Sequence, residues 1–358
     1  MTIFSIVLII LFFGLLIAIH EFGHFIAAKL LGVRVNEFAI GMGPAIFSRE
    51  KGETLYSLRA LPIGGFCAME GEEESSDDPR SFHNKPFWKK FIILVAGAFM
   101  NFVAGLIIIL VIFFLVGSPA APVFTGVMEG AEAVLETGLQ PGDQFYTIDG
   151  HRIYFQSDAL IYLQRAGEDV DVTVLRDGEK VDLGTISLPY RQLVDENGNQ
   201  VEKRGIYVGQ YFEDTVFTRL QNSWYQAIDY VRMVWMGLGD IVTGTMGLRD
   251  MSGVIGIVAM AGDVGEAGAE AAGLFGAVVN ILDFTALIAI NLGVMNLLPI
   301  PALDGGQIFL LIVNGIYHLF SKKYIDQKYL GYVNMVGFMA LMALMVLVAI
   351  SDVSKFIL

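Results

Sequence analysis

The sequence predicts a polytopic α-helical membrane protein with four transmembrane helices, and three observations carry that prediction. Hydrophobic residues make up 54% of the 358 and charged residues only 17%, with a mean hydropathy of +0.59, too apolar for an ordinary soluble chain. Four apolar runs are long enough to cross roughly 30 Å of hydrocarbon: Ile3 to Leu31, Phe91 to Val116, Ala277 to Leu298 and Tyr332 to Ile350. Lysine and arginine gather in the connections after the first and third runs, the asymmetry that orients a membrane chain.

The first span, residues 1–31, lacks a basic leader and a small-residue cleavage site, so it reads as a retained helix and not a signal peptide. Near its end stands His20-Glu21-Phe22-Gly23-His24. Residues four apart share a helix face, so both imidazoles can meet one ion while Glu21 projects beside it. Two neutral imidazoles suit Zn²⁺, which acidifies a bound water to a pKa of about 7, and the carboxylate can take that proton. Three ionisable groups inside an apolar run are costly and call for a functional reason.

Residues 32–90 form a connection whose neighbourhood holds Lys29, Arg34, Arg49, Lys51, Arg59, Arg80, Lys85, Lys89 and Lys90. That density places it in the cytoplasm, as Lys322, Lys323 and Lys328 place the connection between spans three and four. Val35 to Phe47 and Thr54 to Met69 alternate short apolar runs with glycine and proline and read as strands and turns. Glu70 to Asp78 reads as a solvated acidic loop. The lone cysteine, Cys67, excludes a disulfide within the chain.

Span two occupies 91–116. The N-terminus, the long middle region and the C-terminus then face outward. The net charge of −14, mostly carried by that middle region, disfavours nucleic-acid partners. Strand-like runs at Asp169 to Arg176 and Ile206 to Tyr211, a helix at Asp158 to Gln164, and turns at Pro141-Gly142-Asp143 and Asp149-Gly150 predict an α+β domain over 121–212. In 217–276, Trp224 to Leu248 mixes aromatics with Asp229, Arg232 and Asp240 and reads as an interfacial amphipathic helix, with a fifth crossing as the competing assignment. Residues 262–276 read as a flexible connector. Residues 277–317 hold span three and the run Leu303-Asp304-Gly305, and 332–350 hold span four.

From Ile3 to His20 is roughly 26 Å of helix, which puts the histidines in the inner half of the bilayer, where a reaction with water needs a polar pocket. A catalytic zinc usually takes three protein ligands. Asp304 lies between two apolar segments, with two prolines and two glycines opening the backbone around it. Asp283 is the rival, early in the same apolar run, and His83 and His318 look peripheral.

The pattern His20-Glu21-Phe22-Gly23-His24, with Asn296-Leu297-Leu298-Pro299-Ile300-Pro301-Ala302-Leu303-Asp304-Gly305 in a later segment, closely resembles the site-2 protease family of intramembrane zinc metalloproteases, in its bacterial RseP/RasP branch. Further matches are Ile40-Gly41-Met42-Gly43-Pro44, Pro62-Ile63-Gly64-Gly65-Phe66 and Ala96-Gly97-Ala98-Phe99-Met100-Asn101. Gln307, Ala98 and Val254 depart from the family's usual residues without removing a proposed ligand. The resemblance implies zinc held by His20, His24 and Asp304, Glu21 as the base, and Asn296 steadying substrate backbone. It also implies a membrane-reentrant β element within 32–90, and an extracytoplasmic PDZ domain suggested by the run Gly138 to Gly150. The implied setting is a bacterial inner or plasma membrane. The implied substrates are single-pass membrane proteins, of the anti-sigma factor or remnant signal-peptide type, cut in or near their transmembrane segments. A membrane-anchored PDZ scaffold or chaperone with a vestigial metal site, or a metal transporter, are the competing classes. Neither has use for an unliganded carboxylate beside the histidines.

Overall fold

A computed structural model describes residues 2–72, 76–194, 199–211, 213–247 and 250–357. The chain runs α1 (Thr2–Leu30), β1 (Val35–Lys51), β2 (Thr54–Met69) and α2 (Phe87–Val116). Next come β3 (Ala121–Val127), a 3-10 turn (Glu132–Thr137), β4 (Gln144–Ile148), β5 (His151–Arg152), α3 (Gln156–Arg165), β6 (Asp169–Arg176), β7 (Glu179–Ser187), β8 (Arg191–Val194), β9 (Gln200–Lys203) and β10 (Ile206–Gln210). The remainder is helical: α4 (Val216–Thr243), α5 (Val254–Asn296), α6 (Asp304–Ser321) and α7 (Gln327–Ile357). Two compact units result, Met1–Ile112 with Tyr230–Leu358, and Phe113–Asp229.

Among the described residues, α1, α2, α5 and α7 contain the four stretches long and apolar enough to cross a membrane. Helix is the natural state of such runs, because each backbone group must find its partner within the segment when no water is at hand. The helix α5 is interrupted: Ala272 and Gly273 leave helical geometry, and Gly273 takes a φ of 62° and ψ of −150° that only glycine adopts readily. Gly268 and Gly276 bring the two halves into backbone contact, and Asn280 Nδ2 donates across to the Val264 carbonyl at 3.2 Å. Residues 262–276 are therefore a tight helical hairpin, not the flexible connector expected. Alanine is the best helix former, and its abundance here decides the local structure over the glycines.

β1 and β2 are long strands that bend into a four-stranded sheet. Phe38 pairs with Cys67 on one side and Tyr56 on the other, while Tyr56 also pairs with Arg49. The bends fall where Gly41, Gly43 and Gly64 take positive φ. Arg59 ties the bend down, donating to the Gly43 carbonyl at 2.8 Å and to Glu37 at 2.7 Å. Ile46, Phe47, Leu58 and Leu61 are left exposed on this sheet. Of the acidic run from Glu70 to Asp78, residues 73–75 lie outside the described residues; Glu70 accepts from Asn36 and Ser76. Residue 248, the end of the expected amphipathic helix, and residue 212 also lie outside them.

α7 is fastened at two places. Pro301 packs on Gly337, where a side chain would have no room. Asp352, fully buried, accepts from the Gly253 and Gly256 amides at 2.8 and 2.9 Å, supplying partners for N–H groups that the start of α5 leaves orphaned.

The second unit is a sheet in the order β10-β3-β4-β6-β7, with β5 beside β4, and a separate β8-β9 hairpin. Alternate side chains Val170, Val172 and Val174 of β6 point into a core with Phe124, Phe145, Ile148 and Phe155, the period-2 pattern of a half-buried strand. Arg176 donates to both oxygens of buried Asp143 at 2.7 and 2.8 Å, and that contact holds its guanidinium above the ordinary arginine value. Along the space between α3 and β10, Gln156 reaches over to the Val208 carbonyl at 2.5 Å and lies against Gly209.

Candidate metal centre

α1 delivers His20 and His24 from successive turns of one face. Their Nε2 atoms are 3.1 Å apart. α6 delivers Asp304 as its first residue, and Asp304 Oδ2 stands 3.2 Å from His20 Nε2 and 3.3 Å from His24 Nε2. The sequence explains how a carboxylate comes to this position. Pro299 and Pro301 end α5 and prevent its resumption, Ala302 turns through a φ of 77°, and the chain re-enters helix at Asp304. Gly305 and Gly306 lie directly on the backbone of Leu297, Leu298 and Ile300, so the new helix begins in the angle of the turn only because neither carries a side chain.

α2 forms the wall behind the histidines. His24 Nδ1 bonds the Ile93 carbonyl at 2.8 Å; only a ring nitrogen carrying hydrogen can do so, which leaves the Nε2 lone pair directed at Asp304. Gly97 faces both rings, and a Cβ there would press on His24 Nε2 and lie 2.7 Å from His20 Cε1.

Three atoms that can each offer a lone pair to a cation thus lie within 3.3 Å of one another. Asp304 Oδ2 is buried and makes no hydrogen bond despite two ring nitrogens at contact distance. Such an arrangement is repulsive by itself and is relieved by a cation. Tetrahedral zinc with ligands near 2.0–2.1 Å needs donor atoms roughly 3.3 Å apart, and 3.1 to 3.3 Å is what the triad offers. The residues fit zinc.

Glu21, next to His20, lies against the strand at Gly65 and borders a cavity of about 1640 Å³ that His20, His24 and Asp304 also line. Cys67 belongs to the outer strand of the bent sheet, so that strand and the triad share one chamber. The chamber supplies polar space beside the triad.

Asp283, the rival third ligand, accepts the Tyr230 hydroxyl at 2.7 Å and is absent from the donor cluster. His83 and His318 line the cavity, and His318 stacks on Tyr324 with centroids 4.0 Å apart; neither joins the cluster. Asn296 lies 3.4 Å from His20 Nδ1 through its amide nitrogen. The role of Ile93 carries no sequence signal, being a backbone carbonyl. Asn101, whose amide nitrogen is also 3.4 Å from His20 Nδ1, does have one: it is the sole hydrogen-bonding side chain between Phe91 and Val116.

The sequence profile of peptidase family M50 matches residues 8–344. A putative zinc metalloprotease of Clostridium perfringens is 38% identical over 97% of this chain and 98% of its own length, and another, of Clostridium acetobutylicum, is 35% identical over 99% and 98%. The regulator of sigma-W protease RasP of Bacillus subtilis is 27% identical over 87% and 90%. Likeness along nearly the whole chain, together with a donor set fitted to zinc beside a free carboxylate, leaves no place for a scaffold or transporter, and the chain belongs to peptidase family M50, the site-2 type zinc metalloproteases.

Proposed function

We propose that His20, His24 and Asp304 hold the zinc, that Glu21 is the general base, and that the enzyme cuts peptide bonds in or near the transmembrane segments of single-pass membrane proteins. The observation that carries this reading is the convergence of the three donor atoms at zinc spacing with Glu21 beside them. Bound zinc supplies a Lewis acid for the scissile carbonyl and makes water a nucleophile near neutral pH. Glu21, held beside His20 and against the strand at Gly65, takes the proton of the attacking water and returns it to the leaving nitrogen. Asn296, half-buried next to the triad, steadies the substrate backbone.

A transmembrane substrate arrives as helix, its backbone groups satisfied internally, and must unwind to be cut. The strand around Cys67 is an edge of the bent sheet, and its unpaired side offers ladder bonds to an unwound segment. The exposed apolar surface at Ile46, Phe47, Leu58 and Leu61 supports reading this sheet as a membrane-reentrant element. The cationic connections support a cytoplasmic location for residues 32–90, with both termini and the second unit extracytoplasmic in a bacterial plasma membrane. We read the second unit as a PDZ domain. Gln156 lying along β10, where a peptide would add, favours a filter against bulky substrate ectodomains over a peptide receptor. Relatives that include a regulator of sigma-W protease support substrates of the anti-sigma factor type, with remnant signal peptides as the second class.

The test is Glu21→Gln in purified, reconstituted enzyme. Zinc content is expected to stay at the parent level while cleavage of a transmembrane substrate falls about 10²- to 10⁴-fold. Cleavage at the parent rate would remove Glu21 from the mechanism.

A further inference from the structure

The two histidines of the triad are not held alike. His24 has a backbone carbonyl on its outer nitrogen, the Ile93 oxygen at 2.8 Å. His20 has none among the described residues; its Nδ1 faces only the side-chain amides of Asn101 and Asn296, each at 3.4 Å. For His20 Nε2 to offer a lone pair to zinc, Nδ1 must carry the ring hydrogen, and a buried N–H without an acceptor costs about 1–3 kcal/mol. One of the two amides must therefore present oxygen to it.

Asn101 is the one placed to do so. It is fully buried, and its Oδ1, turned away from His20, has no hydrogen-bond partner. The two ends of an amide are nearly the same size, so a half-turn of the group exchanges oxygen and nitrogen without moving the helix. That turn gives the orphaned oxygen the His20 hydrogen. Asn296 is half-buried and needs no such contact. We propose that Asn101 is a positioning residue whose carbonyl oxygen accepts the Nδ1–H of His20, fixing the tautomer and ring plane in which Nε2 ligates zinc, and leaving Asn296 for substrate. A lone polar side chain in an otherwise apolar span then has a function. The proposal rests on the assignment of His20, His24 and Asp304 as the zinc ligands.

The test measures zinc transfer from full-length protein in detergent to a coloured chelator, alongside melting of the zinc-stripped proteins. Asn101→Leu, close in shape but without an acceptor, is expected to release zinc about 10- to 100-fold more readily, with the stripped protein melting like the stripped parent. Asn101→Asp, which keeps an acceptor, should hold zinc as the parent does, and Asn296→Leu should hold zinc while losing cleavage. If the leucine variant shows no melting transition, Asn101→Ala takes its place. Parent-like retention in the variants without an acceptor, or equal loss in the leucine and aspartate variants, overturns the proposal. Asp304→Asn is the control for the centre itself: loss of zinc there with retention in Asn101→Leu defeats only the role of Asn101, whereas retention in both defeats the ligand assignment.

Discussion

The Tyr230 hydroxyl donates to Asp283 at 2.7 Å, so the acidic residue that competes with Asp304 for the metal is already engaged by a neighbour. Asp283→Asn should accordingly keep its zinc, and Asp304→Asn should lose it. Metal analysis of the two purified proteins checks this, and the reverse pattern would move the third ligand to Asp283.

Gly97→Ala places a methyl group against both imidazoles. Loss of at least tenfold in zinc affinity is expected, together with overpacking of about 1–3 kcal/mol. Gly105→Ala, where the added carbon meets the Ile290 side chain at 2.6 Å, should lower the melting temperature while zinc content holds. Metal titration beside thermal unfolding separates the two.

Asp352→Ala deprives the Gly253 and Gly256 amides of their acceptor. A loss of about 1–2 kcal/mol is expected, the range for removing a helix cap. Hydrogen exchange should quicken first at Gly253 and Gly256, and unchanged exchange there would show that α7 does not hold the start of α5.

Lys29 and Arg80 donate to Glu53 at 2.8 and 2.5 Å and keep its carboxyl below the ordinary glutamate value. The unfolded chain then binds more protons than the folded one between those two values, so stability rises with pH across that interval. Glu53→Gln should cost about 0.5 kcal/mol at pH 7, as befits a mostly exposed pair. The difference should vanish as pH falls through the ordinary value of about 4.3 and below it. Melting curves of parent and variant at pH 7 and pH 3.5 test the sign.

Apolar length made the membrane helices legible, and strand alternation with turn residues made β1, β2 and β6 legible, because each signal is local. The pairing of Phe38 with two partners was not, since it depends on where distant strands bend. The hairpin inside α5 was hidden by its alanine and glycine content, in which helix preference and flexibility point opposite ways. In the proposed centre, the approach of His20 and His24 on one helix face was readable from their spacing. Asp304 was already favoured over Asp283 by the prolines and glycines around it and by the family resemblance, and the Tyr230 hydroxyl on Asp283 adds to that preference. Ile93 acts through a backbone carbonyl, which no residue type announces, whereas Gly97 fell within the matched run Ala96 to Asn101 without its contact with the rings being legible.

The proposed ligands lie far apart in the sequence, and that separation imposes an order on biogenesis. The ribosome supplies Asp304 roughly 280 residues after His20, a delay of roughly 15 to 55 s at ordinary elongation rates. During that interval the nascent polypeptide has two imidazoles and a carboxylate but no complete centre. On the proposed ligand set, a polypeptide ending before residue 304 lacks one zinc donor and is expected to be without hydrolytic activity.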